Sequence, residues 1–533
     1  MRLFFTLLFS AFILVGQGQN QIDVLHYKFS IEVNDKSDTI YGQAKIYFKL
    51  TEPVSSISLD LTSLSTNKKG MTVTEVFFDP FSSMTLPFKH EKDKLTVTLN
   101  QQRAKGDSSF ITIFYKGIPA DGLIISKSQF GKRTFFADNW PNRAHNWIPC
   151  VDDPADKATV EFIVTAPSHY QVISNGVQIE ETNLPGDKKL THYKEEVPLP
   201  TKVMVIGVAD FAVSTVANIN CIPIYSWVYP ENKTEGFIDY GMAKDILAFH
   251  IDYIGPFPYK KLANVQSKTK FGGMENAGAI FYAEDRVNGR QDQEELLSHE
   301  IVHQWFGDMA TEKSFAHLWL SEGFATYLTH LYIESKYGTD SLNNEMKYDR
   351  ENVIDFVKRS RRPVVDSTPN YMQLLNANSY QKGSWILHML RRQLGDSVFK
   401  KSIRLYYATY AGKNAETKDL QKIFETVSGK NLEKFFRQWL YTPENLQLDF
   451  TWKYDKKKNN VTVTLTQLQK SEDFEFLFEI LIQESTATMP KRMIKAVSKR
   501  SETFVFPVKS KPVRVEIDPM TSLLFEGKLT ELQ

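Results

Sequence analysis

Residues 298–308 read SHEIVHQWFGD. His299 and His303 stand four positions apart, and Glu300 directly follows the first histidine. On a helix, residues four apart share one face, one turn from each other. Two imidazole nitrogens can then converge on a single point, as a tetrahedral zinc ion requires. Glu300 is rotated by about 100° from His299 on the helical wheel. It is not a ligand alongside the histidines, but it is placed to reach a water at the ion as a general base. A catalytic zinc takes three protein ligands and keeps one position open. Glu322, nineteen positions after His303, opens a second helical stretch, and its carboxylate is the natural third ligand if the two helices fold back on each other. The competing reading is three polar residues that share a helix. Few chains of this length carry such a match by chance, and fewer carry a glutamate at one set later position, so the metal reading is preferred. His317, His330 and His388 read as ordinary polar or core residues.

These side chains need a frame, and the hydrophobic period divides the chain into three. Residues 19–220 read as an N-terminal antiparallel β-sheet domain: HYKFSIEV, TIYGQAKIYFKL and KLTVTLN alternate apolar and polar residues and are rich in β-branched and aromatic types. Residues 221–442 turn mostly helical, with a short β segment around FGGMENAGAIFY. Within TKDLQKIFETVSG, Thr417 is placed to cap the N-terminus, Leu420, Phe424 and Val427 form one stripe, and Gly429 suits the position after the C-terminus. From 443 to 533 the period returns to two, which predicts a small C-terminal β-sandwich. The fold class expected is multidomain α+β.

The chain has 533 residues, with 64 basic and 63 acidic side chains for a net charge of +1. That balance provides no field for holding nucleic acid or an anionic membrane. The basic run Lys456–Lys458 reads as a solvated hairpin tip. Residues 1–18 have the layout of a secretory signal peptide, with Arg2 before an apolar run from Leu3 to Val15 and then small and polar residues. No other stretch approaches a membrane span, so a secreted or periplasmic mature chain without a span is expected. Cys150 and Cys221 are the only cysteines; export permits a disulfide between them, and two unpaired thiols are an equal alternative.

Four motifs in order give the chain a resemblance. The spacing of His299, His303 and Glu322 is that of the aminopeptidase N family of zinc metallopeptidases, within the gluzincins. GGMENAGAI at Gly272–Ile280, WLSEGFATY at Trp319–Tyr327 and YQKG at Tyr380–Gly383 resemble three further family motifs, although Ser321 stands where the family usually has Asn. The order β, helical, β is also similar, and the helical domain is expected to be thermolysin-like. The chain stops where many members continue into a large helical domain, so a shortened member with a more open cleft is expected.

The resemblance implies a zinc-dependent aminopeptidase with one Zn2+ per chain, acting on peptides with a free α-amino group. Glu300 is then the general base toward the zinc-bound water, and Tyr380 donates a hydrogen bond to the oxyanion opposite the ion. Glu275 captures the α-ammonium and fixes the register, so that only the first peptide bond reaches the water. Gly272 and Gly273 let the backbone approach the substrate, and Met274 lines the pocket for its first residue. Relatives carry a second amine-binding Glu or Gln before a Pro-Cys stretch, here WIPCVDDP. Counting back, that position holds Trp140, with Asp138 two residues earlier. Either Asp138 substitutes, or Trp140 offers its ring face to the ammonium. A thermolysin-like endopeptidase and a catalytically silent scaffold remain the alternatives. The first would cut N-blocked peptides; the second usually loses a ligand or the base, and all are present here.

Overall fold

Strict alternation of burial organises the N-terminal part. In the strand Lys157–Pro167, Ala158, Val160, Phe162, Val164 and Ala166 are buried while the residues between them are half-buried. Val160, Phe162 and Val164, fully buried, each contribute about 1.5–3 kcal/mol. The computed structural model describes residues 21–78 and 84–532. The leader expected at 1–18 lies outside the described residues.

Seven strands form the main N-terminal sheet, in the order Val177–Leu184, Lys188–Pro200, Lys157–Pro167, Ile22–Glu32, Ile40–Leu50, Ser108–Ile118 and Gly70–Phe77. The sheet is not wholly antiparallel as expected, because Ile22–Glu32 and Lys157–Pro167 pair in parallel. Period-two alternation reports which face is buried, not which way a neighbour runs, so this pairing of two strands more than 120 residues apart leaves no local signal. Smaller three- and four-stranded sheets complete the region.

A five-stranded sheet follows, in the order Ala212–Ile219, Ile222–Val228, Leu262–Ser267, Ala279–Ala283 and Gly273–Met274. Position 220, where the sequence reading divides the chain, falls in the turn between its first two strands. Gly273–Met274 is an edge strand, paired only with Ala279–Ala283. Helices pack beyond this sheet, and Trp319–Tyr337 runs through their centre with every residue from Trp319 to Ile333 buried. In the helix Thr417–Ser428, Gly429 ends the helix in the left-handed region at φ 67° as the sequence suggests, but the cap is Glu416, which forms a capping box with Asp419. Thr417 is the first helical residue instead, because its hydroxyl is engaged elsewhere: it accepts from the Trp319 indole and bonds His317, each at 2.9 Å.

The C-terminal part has two sheets, Ser501–Pro507, Asn460–Gln467, Gln447–Asp455 and Glu526–Glu531 against Lys491–Val497, Phe476–Gln483 and Arg514–Ile517. Phe478 of the second meets Phe450 and Phe504 of the first across the sandwich. Lys456–Lys458 lies exposed in the turn between Gln447–Asp455 and Asn460–Gln467. Cys150 is buried, Cys221 is exposed, and both are free thiols. Among the described residues no helix is long and apolar enough to cross a membrane.

Candidate metal centre

His299 and His303 lie on the helix Glu294–His303, and Glu322 lies in the first turn of Trp319–Tyr337. The two histidine Nε2 atoms are 3.1 Å apart, and each is 3.3 Å from Glu322 Oε2. Three ligands at about 2.0–2.1 Å from a tetrahedral ion must be separated by about 3.3–3.4 Å. The triangle matches that spacing, and among the described residues it is the one group of three His, Cys, Asp or Glu side chains close enough to hold a metal.

The surroundings orient the side chains that could hold the ion. His303 Nδ1 lies 3.1 Å from the Phe306 carbonyl and 3.0 Å from Ser321 Oγ. A carbonyl can only accept, so Nδ1 carries a proton, and Nε2 is the nitrogen left to face an ion. Burial alone would push the Glu322 carboxyl up, but His303 and His299 beside it hold it below the usual carboxylate range. Two imidazoles and one carboxylate are a donor set that fits zinc better than a harder ion, which would ask for oxygen donors.

Two glycines bring the remaining chemistry to the triad. A Cβ on Gly323 would lie 2.8 Å from the Gly383 Cα, so the two backbones touch where Trp319–Tyr337 crosses Gly383–Leu394. Tyr380 sits three residues before that contact in a π-helical turn, Asn378–Lys382. Its ring stacks on His299 at 5.9 Å between centroids and 14° between planes. Burial first, and then the Glu322, Glu275 and Glu300 charges, push the Tyr380 phenol well above its ordinary value, so it remains a hydrogen-bond donor.

Glu300 is 5% exposed, and burial pushes its carboxyl well up, a shift that His303 opposes and Glu275 and Glu322 reinforce. The edge strand Gly273–Met274 lies directly over it: a Cβ on Gly273 would be 2.3 Å from Glu300 Oε1. Gln304, which the sequence reading did not single out, holds this stretch to the histidine helix. It donates to the Glu275 carbonyl at 2.7 Å and accepts from the Gly278 amide at 2.7 Å.

Two openings share the centre. The smaller, of about 60 Å³, brings Glu275, Met274 and Trp140 together with the triad, Glu300 and Tyr380. The larger, about 1040 Å³, is lined by Gly272 and Gly273 and also reaches His299, Glu300 and Tyr380. Asp138 lines neither. Its side chain is fully buried, with Oδ1 2.6 Å from Arg143 and Oδ2 accepting from the Lys270 amide at 2.8 Å. Arg143 was not visible as a partner from the sequence, although its spacing of five from Asp138 was there to be read.

Residues 24–203 match the peptidase M1 N-terminal domain and residues 239–439 the peptidase family M1 domain, together more than two thirds of the chain. The chain belongs to peptidase family M1, the aminopeptidase N family. Both histidines, Glu322, Glu275 and Tyr380 fall inside the stretch matched to the M1 domain. Among curated M1 relatives, a protein named probable aminopeptidase 2 from Sulfurisphaera tokodaii is 27% identical over 442 residues, covering 79% of this chain and 53% of that protein. Aminopeptidase 2 of Candida albicans is 27% identical over 446 residues, covering 78% of this chain and 46% of its own. Aminopeptidase M1-C of Oryza sativa is 29% identical over 320 residues, covering 56% and 35%. The chain thus spans about half the length, or less, of these M1 relatives.

Proposed function

We propose that this chain is a zinc-dependent aminopeptidase that removes the first residue from peptides with a free α-amino group. The observation that carries the reading is the unequal pair of openings. Glu275 and Trp140 line the small one together with the whole triad, while the large one shares only His299 of the triad. A peptide whose ammonium meets the Glu275 carboxylate has room for a single residue on that side, which sets the first peptide bond at the centre.

A zinc ion held by His299, His303 and Glu322 supplies a Lewis acid for water and for the scissile carbonyl. The rest of the chemistry belongs to the chain. Glu300, buried against Gly273, takes the proton from the attacking water and delivers it to the departing nitrogen. The Tyr380 hydroxyl donates to the oxygen on which negative charge develops. Gly273–Met274 has an unpaired strand edge, onto which the substrate backbone can bond as an added strand. Trp140 is 2% exposed and stands where Asp138 does not reach, so its ring, not a second carboxylate, is the other wall of the amine pocket. An exported location is part of the same proposal and rests on the sequence of residues 1–18 alone.

The test is a set of aminoacyl-arylamides and their N-acetylated forms. The free-amine forms are cleaved and the acetylated forms are not; efficient hydrolysis of the blocked set would select the endopeptidase alternative.

A further inference from the structure

We propose that the large cleft receives the peptide beyond the scissile bond and selects cationic side chains there. The proposal rests on the aminopeptidase reading, since that reading places the leaving part of the substrate in this cleft. Glu275 and Trp140 do not line it, whereas His299, Glu300 and Tyr380 line both openings. An amine anchored at Glu275 therefore sends the rest of the chain this way.

The wall it meets is negative. Glu295 lies one turn before His299 on the same helix face, and Glu345 and Asp349 lie one turn apart on Thr339–Arg359. All three line the cleft, and no lysine or arginine does. Two other carboxylates at its rim are already neutralised, Asp292 by Arg290 at 2.7 Å and Glu294 by Lys336. Asp349 pairs with His330 at 2.9 Å. Even with His330 protonated, three carboxylates against one imidazolium leave two negative charges unbalanced. Burial raises the Glu295 carboxyl, the Glu345 and Asp349 charges add to it, and His330 opposes them.

The rings and the volume of the cleft, independent of its charges, suit a bound chain. Tyr348 lines the same cleft at 63% exposure, a large ring on which a guanidinium can stack, whereas the Tyr337 ring is already covered by the Lys336 ammonium at 5.0 Å. The volume, about 1040 Å³, admits several residues rather than a small leaving group.

The probes are alanyl-arginyl-alaninamide and its analogues with glutamine or glutamate at the second position. Release of alanine is expected in the order arginine, glutamine, glutamate, with kcat/KM for arginine about tenfold above glutamate at low salt. The ratio shrinks as ionic strength rises, because partly exposed charges are screened. A Glu295→Gln, Glu345→Gln double variant narrows it by about threefold or more. Equal rates for the three peptides, or a ratio indifferent to salt in the unaltered protein, would overturn the proposal while leaving the aminopeptidase reading in place. Failure to release alanine from any of the three would remove both.

Discussion

Replacing Gly273 by alanine puts the proposed base to a steric test. The Cβ would lie 2.3 Å from Glu300 Oε1, 2.5 Å from its Cδ and 2.6 Å from its Cγ. Ordinary contact begins near 3.4 Å, so the carboxylate must retreat by about 1 Å, and a displacement of that size can cost about 10² in rate. The corresponding loss of transition-state stabilisation is about 2.7 kcal/mol. The backbone at Gly273 is not left-handed, so the substitution adds no backbone strain. Glu300 is not a ligand, so the zinc content and the melting temperature should stay near those of the parent. The assay is kcat for alanyl-arylamide hydrolysis, with zinc measured on the same sample. A double-mutant cycle sharpens it: once Glu300→Gln has removed the base, adding Gly273→Ala should cost less than about threefold more. A Gly273→Ala protein within about threefold of parental kcat would refute the claim that Glu300 is held in a working position by the strand above it.

Three further outcomes follow from other contacts. Ser321→Ala removes one of the two groups at His303 Nδ1 and leaves the Phe306 carbonyl, so zinc affinity should fall by about tenfold, the low end for such partners, in a chelator competition. Lys202 and Glu312 form an ion pair that is almost wholly buried, so Lys202→Met should destabilise by about 3–5 kcal/mol in chemical unfolding, and Lys202→Met with Glu312→Leu should regain much of it. Asp156 is pushed up to about 8 by burial, with the neighbouring Asp23 and Asp153 charges adding to it and the Val24 amide opposing. Its folded-state value thus lies above the unfolded one of about 3.9. It keeps its proton on folding, and stability is lost as pH climbs from the unfolded value through about 8. Asp156→Asn should therefore melt progressively higher than the parent between pH 5 and pH 9; a constant difference would argue against that protonation state.

The triad was legible because its information is local. A spacing of four places His299 and His303 on one face, and the chain needs only one antiparallel turn to return Glu322 to them. Period-two alternation likewise revealed the strands and their buried faces. What could not be read depends on partners far off in sequence. The parallel pairing of Ile22–Glu32 with Lys157–Pro167 is one such case. Asp138 looked free for an ammonium until Arg143 and the Lys270 amide occupied both its oxygens. Thr417 looked like a cap until Trp319 and His317 claimed its hydroxyl. The acidic cleft needs helices from three stretches to meet, and on each helix alone Glu295, Glu345 and His330 look like ordinary surface or core residues.

The most direct measurement is a zinc titration of chelator-stripped protein, followed by hydrolysis of a free-amine arylamide. The account predicts no turnover at the start, a linear recovery, and a sharp break at one zinc per chain. Full turnover before any zinc is added, or no recovery after it, would contradict it.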